Sequence, residues 1–315
     1  MNYKEYRPTL AQLRTYVTVA ETKHFGAAAS RLDISQPSLS QALAAIEHGL
    51  GVQLIERSTR KVIVTPAGEE LLPYAKATLD AVDLFLAHAR GAVGTLTGQL
   101  TIGIIPTIAP YILPTLLRLA KTTFPDLELR IIEDQTQHLC ELLRDGHIEC
   151  ALLALPIEDK KINHIPLYHE NFHLVVPEDD PYAGRSDLTL EDLRDLNFYL
   201  LDDGHCLRDQ IVDLCRRADV HPEQSQNAST RAASLTTVIQ LVSAGHGATL
   251  VPESAISAEG QRPGVATATF NPAVSAEREV AIAYRTSSSS REEEFRQLGA
   301  LITRAFHEVA QKPQA

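Results

Sequence analysis

Two cysteines nine positions apart have a spacing with a chemical consequence. Cys206 and Cys215 lie in the segment that runs from Gly204 to Cys215. A continuous helix turns about 100° and rises about 1.5 Å per residue, so this spacing places the two sulfurs on opposite faces, roughly 13 Å apart along the axis. A disulfide requires α-carbons within about 4.4 to 6.8 Å of each other. If the segment is helical when reduced, oxidation must unwind it, which makes the segment a candidate two-state redox element.

The position of Cys206 predicts a reactive thiol. Cys206 follows Asp202-Asp203-Gly204-His205, so we expect it in the first turn of a helix, where the helix dipole lowers the pKa of a thiol. A lower pKa alone cannot make the thiol react fast, because the nucleophilicity of the thiolate falls together with the pKa. Nearby hydrogen-bond donors must therefore stabilise the charge on the leaving group.

For the other two cysteines, Cys140 and Cys150, the sequence predicts no reactive role. Cys140 lies among leucines and Cys150 opens an apolar strand, as is typical of small buried hydrophobic side chains. His138, Cys140, His147 and Cys150 lack the tight ligand spacing of a structural zinc site. We therefore predict neither a metal nor a cofactor.

Composition limits the class of protein. The chain has 315 residues, of which 44% are hydrophobic and 22% charged, as in a soluble globular protein of two or three domains. It shows no apolar run long enough for a membrane span, and the polar stretch 1–10 is unlike a signal peptide. Four cysteines are too few for a secreted disulfide scaffold. We expect a cytoplasmic protein in which a disulfide is transient.

The charge is unevenly distributed. The net charge is −11, but residues 1–65 hold eight Lys and Arg against five Asp and Glu, or 8 − 5 = +3, which leaves −14 for the remainder. A basic segment joined to an acidic body predicts that only the N-terminal domain meets a polyanion such as DNA.

Residues 1–65 predict a winged helix-turn-helix. Helices are expected over 9–23 and 25–32, and a third opens at Pro37 after the break 33–35. That third helix buries Leu39, Leu43, Ile46 and Leu50 and ends at Gly51, whereas its opposite face is small and polar. A hairpin over 52–65, with a basic tip, completes the motif.

Residues 66–92 predict a long linker helix. Apolar residues recur along it at intervals of three and four: Leu72, Ala75, Leu79, Val82, Leu86 and Ala89. This heptad pattern favours a dimer seam. A helix packed on its own domain is the alternative.

Beyond a hinge at 93–98, strands alternate with helices. The segments 100–105, 127–133 and 150–155 read as strands and 108–121 and 136–145 as helices, which predicts a βαβαβ run of mostly parallel strands. Strands at 171–176, 197–201 and 248–251 continue the pattern, and a late strand at 279–284 precedes a final helix over 291–309. We predict lobe I from 99–168 and 270–310 and lobe II from 169–269, with a crevice at the strand C-ends.

Several motifs of the N-terminal region resemble those of LysR-type transcriptional regulators. They are Phe25-Gly26-Ala27-Ala28-Ala29, Ser35-Gln36-Pro37-Ser38-Leu39-Ser40, Ile46-Glu47, Leu50-Gly51, Leu54-Ile55-Glu56-Arg57 and Thr65-Pro66-Ala67-Gly68. The resemblance extends over the whole chain and implies an α/β protein with a winged helix-turn-helix, a linker helix and a two-lobed regulatory domain like a periplasmic binding protein. Gly204–Asp209 together with Cys215 resembles the hydrogen-peroxide-sensing branch of that family.

The resemblance implies a DNA-binding surface. Residues of the third helix would face the groove, namely Ser35, Gln36, Pro37, Ser38 and Gln41, while Arg57, Arg60 and Lys61 of the wing would contact phosphates. A solvated surface role remains the alternative for any one of them.

It also implies a redox site. Cys206 would attack the peroxide and Cys215 would resolve the sulfenic acid, while Thr107, Thr136, His205 and Arg278 would hold the peroxide. The two threonines could instead cap the helices that follow them. A homotetramer, a cellular thiol reductant and RNA polymerase are the further partners we expect.

Three other functions compete with a peroxide-responsive regulator. The chain could be a LysR-type regulator that binds a small metabolite between its lobes, with structural cysteines. It could be a thiol peroxidase, although an enzyme needs neither a dimer seam nor a DNA-binding domain, so we expect no enzyme. It could be a solute-binding subunit, against which the winged domain counts.

Overall fold

A computed structural model of the chain describes residues 6–57, 62–89, 96–221, 232–245 and 247–311. It divides the chain into two compact units, of which the first comprises Met1–Gly94, Arg144–His147 and Arg285–Arg291 and the second Thr95–Leu143, Ile148–Tyr284 and Glu292–Ala315. Among the helices of these described ranges, none is both long and apolar enough to cross a membrane.

The first unit begins with three helices: α1 (Leu10–Thr22), α2 (Phe25–Arg31) and α3 (Gln36–Leu50). Thr9 and Gln12 form a reciprocal capping box at the start of α1. Ser35 caps α3 by accepting a hydrogen bond from the Ser38 amide, and Gly51 ends α3 with a left-handed φ of 70°. The three predicted helices are confirmed.

The apolar face of α3 forms the core of this unit. Leu39, Leu43 and Ile46 are fully buried, whereas Leu50 is only half-buried. They pack with Tyr16 and other residues of α1. The opposite face of α3 is exposed to solvent.

An antiparallel hairpin of β1 (Ile55–Arg57) and β2 (Val62–Val64) follows. One carboxylate oxygen of Glu47 accepts hydrogen bonds from the Leu54 and Ile55 amides, each at 2.9 Å, and so ties the hairpin to α3. The hairpin is as predicted. Its tip, with Arg60 and Lys61, lies outside the described residues.

The long helix α4 (Pro66–Ala89) corrects part of the dimer prediction. Leu72 and Ala75 are buried in the core of the first unit, with exposed fractions of 7% and 5%, and the half-buried Leu79 packs against that core. The predicted seam is therefore wrong for Leu72 and Ala75. The three helices α1, α2 and α3 are too small to enclose the core of the first unit by themselves. Helix α4 therefore covers the side of this core that they leave open. Val82 is half-buried and Leu86 is exposed, while the side chain of Ala89 is not described.

The second unit opens with the predicted βαβαβ run. Its elements are β3 (Gly98–Ile104), α5 (Ala109–Thr123), β4 (Leu127–Glu133), α6 (Thr136–Arg144) and β5 (Cys150–Ala154). Strand β3 pairs in parallel with both β4 and β5. Parallel pairing brings the carboxyl ends of these strands to one edge of the sheet.

The remaining elements are β6 (Ile162–Pro177), α7 (Cys206–Arg217), α8 (Leu235–Ser243), β7 (Thr249–Pro252), α9 (Glu253–Glu259), β8 (Val265–Thr269), β9 (Glu277–Arg285) and α10 (Glu292–Ala310). The sheet order is β4-β3-β5-β9-β6-β7, with β8 also paired to β6. The parallel pairing predicted for the βαβαβ run is confirmed, but the pattern does not continue into the later strands, because β9 is antiparallel to β5, and β6 is antiparallel to β7 and β8. The predicted strand at 197–201 is reduced to isolated bridges at Phe198 and Leu201.

Two separate hydrophobic cores lie within the second unit. One contains residues of β3, β5, β9 and α10, and the other contains residues of β6, α7, α8 and β7. We call these two parts lobe I and lobe II. Strand β6 contributes to both cores, so it links the lobes.

Candidate functional site

The carboxyl ends of β3 and β4 bring two threonines to the start of α7. Thr107 follows β3 and Thr136 follows β4, and both strands end at the same sheet edge. Together with residues that precede and open α7, they line a narrow cleft formed by Ile105, Pro106, Thr107, Gln135, Thr136, His205 and Cys206. The gaps between these side chains are too narrow to hold a water molecule as they stand.

Cys206 is the first residue of α7, as predicted, and it is half-buried. All four cysteines are thiols. Burial raises the pKa of the Cys206 thiol, while the charge of Arg278 and the hydroxyl of Thr136 oppose this rise without reversing it. The predicted net lowering of this pKa is therefore wrong: the backbone amide of Leu207 in the first turn of α7 does favour the thiolate, but desolvation outweighs it.

Thr136 presents a buried hydroxyl to the thiol. It is the first residue of α6, and its Oγ1 makes no regular hydrogen bond within the part of the chain that the structure describes. It therefore does not cap its helix. Its hydroxyl instead favours the charged form of Cys206, which gives this buried polar group a role at the thiol.

Thr107 and Arg278 form one buried unit. Arg278 donates from Nη1 to Thr107 Oγ1 at 2.9 Å and from Nη2 to the Thr107 carbonyl at 3.2 Å. The helix after Thr107 has no side-chain cap, so Thr107 does not act as a cap either. Arg278 lies within β9, and both residues are only 2% exposed.

Sequence reasoning missed the carboxylate that holds Arg278. Glu170 Oε1 accepts from Arg278 Nε at 2.7 Å and lies 2.5 Å from Nη2, and both side chains are fully buried. Period-two alternation along β6 places Glu170 on the same inward face as Tyr168 and Phe172. That signal could have identified Glu170, because a charge at an inward position requires a partner.

His205 lies beside the thiol in a dry environment. It is only 5% exposed and precedes α7 without capping it. Burial lowers its pKa, although the charge of Asp202 opposes this shift. The imidazole is therefore neutral at pH 7, and it can donate or accept a hydrogen bond.

The two cysteines of the pair contact different cores. Helix α7 is continuous from Cys206 to Arg217. Cys215 is fully buried in the lobe II core, whereas Cys206 packs against the lobe I core. The predicted arrangement on opposite faces of one helix is confirmed, so a disulfide between them requires α7 to unwind.

The other site predictions fall elsewhere. Cys140 and Cys150 are buried in lobe I. Ser35, Gln36, Pro37, Ser38 and Gln41 are exposed on and just before α3. The strand β1 ends at Arg57, of which only the backbone is described.

Comparison with known proteins identifies both parts of the chain. Residues 10–69 match the bacterial regulatory helix-turn-helix protein, lysR family, and residues 93–305 match the LysR substrate binding domain. A probable hydrogen peroxide-inducible genes activator from Mycobacterium leprae is 47% identical over 302 residues, which is 96% of each chain.

Solved structures give the same result. The C206S mutant of OxyR from Corynebacterium glutamicum, described as H2O2-bound, is 64% identical with a TM-score of 0.69, covering 98% of this chain and 95% of that one. A full-length cysteine-to-aspartate variant of OxyR from Pseudomonas aeruginosa is 31% identical with a TM-score of 0.79, covering 99% of both chains. The chain therefore belongs to the LysR family of bacterial regulators. Within that family, it belongs to the OxyR branch of hydrogen peroxide-inducible genes activators.

Proposed function

We propose that this chain is a DNA-binding transcription regulator that senses hydrogen peroxide by oxidation of Cys206 and a reversible Cys206–Cys215 disulfide. One observation carries the proposal: the two thiols lie on one continuous helix, but each contacts a different core. A bond between them therefore changes backbone structure. Peroxide chemistry at Cys206 is supported by the polar groups around it. A cysteine that only fills an apolar core has no such polar neighbours.

In the first step, the Cys206 sulfur attacks one oxygen of hydrogen peroxide and the O–O bond breaks. The departing hydroxide takes up the proton that the thiol released and leaves as water, which yields Cys206 sulfenic acid. Thr107, Thr136, His205 and Arg278 would hold the peroxide and stabilise the hydroxide. Since the pKa of Cys206 is raised, this stabilisation must supply most of the rate.

In the second step, the Cys215 thiol attacks the sulfenic sulfur, an S–S bond forms and a second water leaves. Cys215 must first leave the lobe II core, so α7 unwinds and the lobe repacks. We infer that this change remodels the oligomer on DNA. A cellular dithiol, or two monothiols, would return the pair to the reduced state, so the reaction is a switch and not a turnover activity.

DNA binding is assigned to the first unit. The exposed residues Ser35, Gln36, Pro37, Ser38 and Gln41 at α3 would enter the major groove, and Arg57, Arg60 and Lys61 would neutralise phosphates. The net positive charge of residues 1–65 supports this assignment. Regulation would further involve RNA polymerase in the cytoplasm.

Self-association is assigned to α4. Among the side chains of α4 that the structure describes, the exposed large apolar ones are Tyr74, Phe85 and Leu86, with exposed fractions of 66%, 71% and 40%. Such side chains on one long helix are typical of a helix that pairs with a second copy. We propose a dimer through this part of α4 and a tetramer through the lobes.

Replacing Cys206 by Ser tests the proposed function. We expect Cys206→Ser to abolish the response of promoter transcription to peroxide while leaving operator affinity unchanged, because Cys206 lies in the second unit. Cys140→Ser is the matched control, and it should respond like the wild type. A normal peroxide response in Cys206→Ser would favour a regulator that binds a metabolite between its lobes.

A further inference from the structure

Arg278 depends on a buried carboxylate for its position. The guanidinium has five N–H groups, and four contacts hold it: two to Glu170 Oε1 and two to Thr107. These contacts leave one N–H, on Nη1, the nitrogen that also donates to Thr107 Oγ1. The orientation of that remaining donor is thus fixed by the other four.

Glu170 is itself held in place from a second direction. Its other oxygen, Oε2, accepts a hydrogen bond from the backbone amide of Ser254, at the start of α9, at 3.2 Å. Glu170 and Ser254 are both fully buried. A carboxylate that bonds to three N–H groups in a dry environment has little freedom to move, so it provides a rigid support for the cation.

The supported cation acts on the reactive thiol. Arg278 favours the thiolate of Cys206 through its charge. It also bonds directly to Thr107, which lines the same space as Cys206. Displacement of Arg278 would therefore change both the charge near the sulfur and the orientation of the Thr107 hydroxyl.

We propose that Glu170 is a positioning residue for peroxide reduction, which aims the Arg278 guanidinium and, through it, the Thr107 hydroxyl at the peroxide bound beside Cys206. This role rests on the proposed function, because it deepens the chemistry of the same site. The contacts of Glu170 are to Arg278 and the Ser254 amide and not to the reacting atoms of the proposed step. Its contribution is made through Arg278.

Glu170→Gln tests this role, because it keeps the shape of the side chain and removes its charge. We expect oxidation of Cys206 by hydrogen peroxide to slow by about tenfold or more, given that one positioned donor contributes on the order of 10² to 10³. The pKa of Cys206 should rise further, because Arg278 is no longer held where it favours the thiolate. The rate is measured on the full chain by quenched-flow thiol trapping and peptide mapping, and the pKa from the pH dependence of Cys206 alkylation.

Glu259→Gln is the matched control for loss of a buried carboxylate. Glu259 is 4% exposed and accepts hydrogen bonds from Thr236 and Arg262, at 2.6 Å and 2.7 Å. Neither of these two hydrogen bonds involves Arg278 or Thr107. We expect Glu259→Gln to lower the melting temperature while leaving the rate and the pKa of Cys206 as in the wild type.

A double-mutant comparison separates positioning from folding. In an Arg278→Gln background, Glu170→Gln should have no further effect on the rate of the folded protein, because it acts through Arg278. If Glu170 had a purely structural role, Glu170→Gln would slow the oxidation of Cys206 by the same factor in the wild-type and Arg278→Gln backgrounds. That result would overturn the proposal. If Glu170→Gln does not fold, Glu170→Asp replaces it; a wild-type rate in Glu170→Asp would overturn the proposal, and a slower rate would support it.

The two measurements distinguish this inference from the proposed function. Alkylation of Cys206 uses no peroxide, so an unchanged Cys206 pKa together with an unchanged peroxide rate in Glu170→Gln would overturn the role of Glu170 alone. A wild-type chain whose Cys206 is not oxidised selectively would instead overturn the proposed function.

Discussion

At the scale of single residues, reactivity at Cys206 is decided by desolvation and by the groups that oppose it. Burial raises the pKa of this thiol, and neither the charge of Arg278 nor the hydroxyl of Thr136 fully compensates. The reduced protein at neutral pH therefore holds Cys206 mostly as the thiol. A protonated resting state protects the cysteine from indiscriminate oxidation, since the thiolate is the reactive form. Under the proposed function, selectivity for peroxide then depends on donors that act on the leaving oxygen.

The raised pKa predicts a steep pH dependence. Only the thiolate reacts, and its fraction grows about tenfold per pH unit below the pKa, so the rate of Cys206 oxidation should rise close to tenfold from pH 7 to pH 8. The measurement is thiol trapping at fixed peroxide concentration, with Cys206 quantified by peptide mapping. A rate that is constant from pH 6 to pH 8 would contradict a raised pKa.

At the scale of elements, α7 is the part of the molecule that must change. It joins a cysteine against the lobe I core to a cysteine within the lobe II core. Gln210, between them, donates its side-chain amide to the Leu155 carbonyl of lobe I at 3.2 Å. The reduced state is thus stabilised by helix hydrogen bonds and by core contacts, all of which oppose the disulfide. Under the proposed function, the stability of α7 therefore sets how readily the pair is oxidised.

Asp213→Pro tests this dependence on α7. Asp213 is exposed in the helix interior, where proline costs about 3 kcal/mol. That cost falls only on the reduced state, so the reduction potential of the Cys206–Cys215 pair should become more negative by roughly 60 mV. The measurement is a glutathione redox titration with thiol trapping, with Asp213→Ala as the control that keeps the helix. Equal potentials for the two variants would show that α7 persists in the oxidised form.

At the scale of the whole molecule, the long helix α4 differs in exposure along its length, and the proposed self-association concerns only its later part. The first part of α4 closes the core of the first unit with Leu72 and Ala75. The later part exposes Phe85 and Leu86. A heptad pattern in sequence does not distinguish the two, because burial against the same chain and burial against a second copy require the same apolar spacing.

Two substitutions on α4 separate these roles. Leu86→Glu should weaken self-association with little change in melting temperature, because Leu86 is already 40% exposed. Leu72→Glu should instead unfold the first unit, since a charge in that core costs on the order of 3 kcal/mol or more. Sedimentation velocity and thermal melts measure the two effects. An unchanged oligomer in Leu86→Glu would remove this part of α4 from the interface.

Local features of this protein were determined by the sequence itself. The caps at Thr9 and Ser35, the stop at Gly51 and the apolar spacing of α3 act over a few positions, so the winged motif could be predicted without a structure. The spacing of Cys206 and Cys215 likewise shows from the sequence alone that the two thiols cannot form a disulfide on an intact helix, because helix geometry separates the sulfurs.

Only the tertiary structure decided the chemistry around Cys206. Arg278 meets Glu170 across 108 positions and Thr107 across 171, and no local pattern encodes such partners. Desolvation of the thiol and the antiparallel pairing in lobe II also follow from how distant segments pack. Caps and periodicity are set by neighbours along the chain, whereas pKa values and ion pairs are set by neighbours in space.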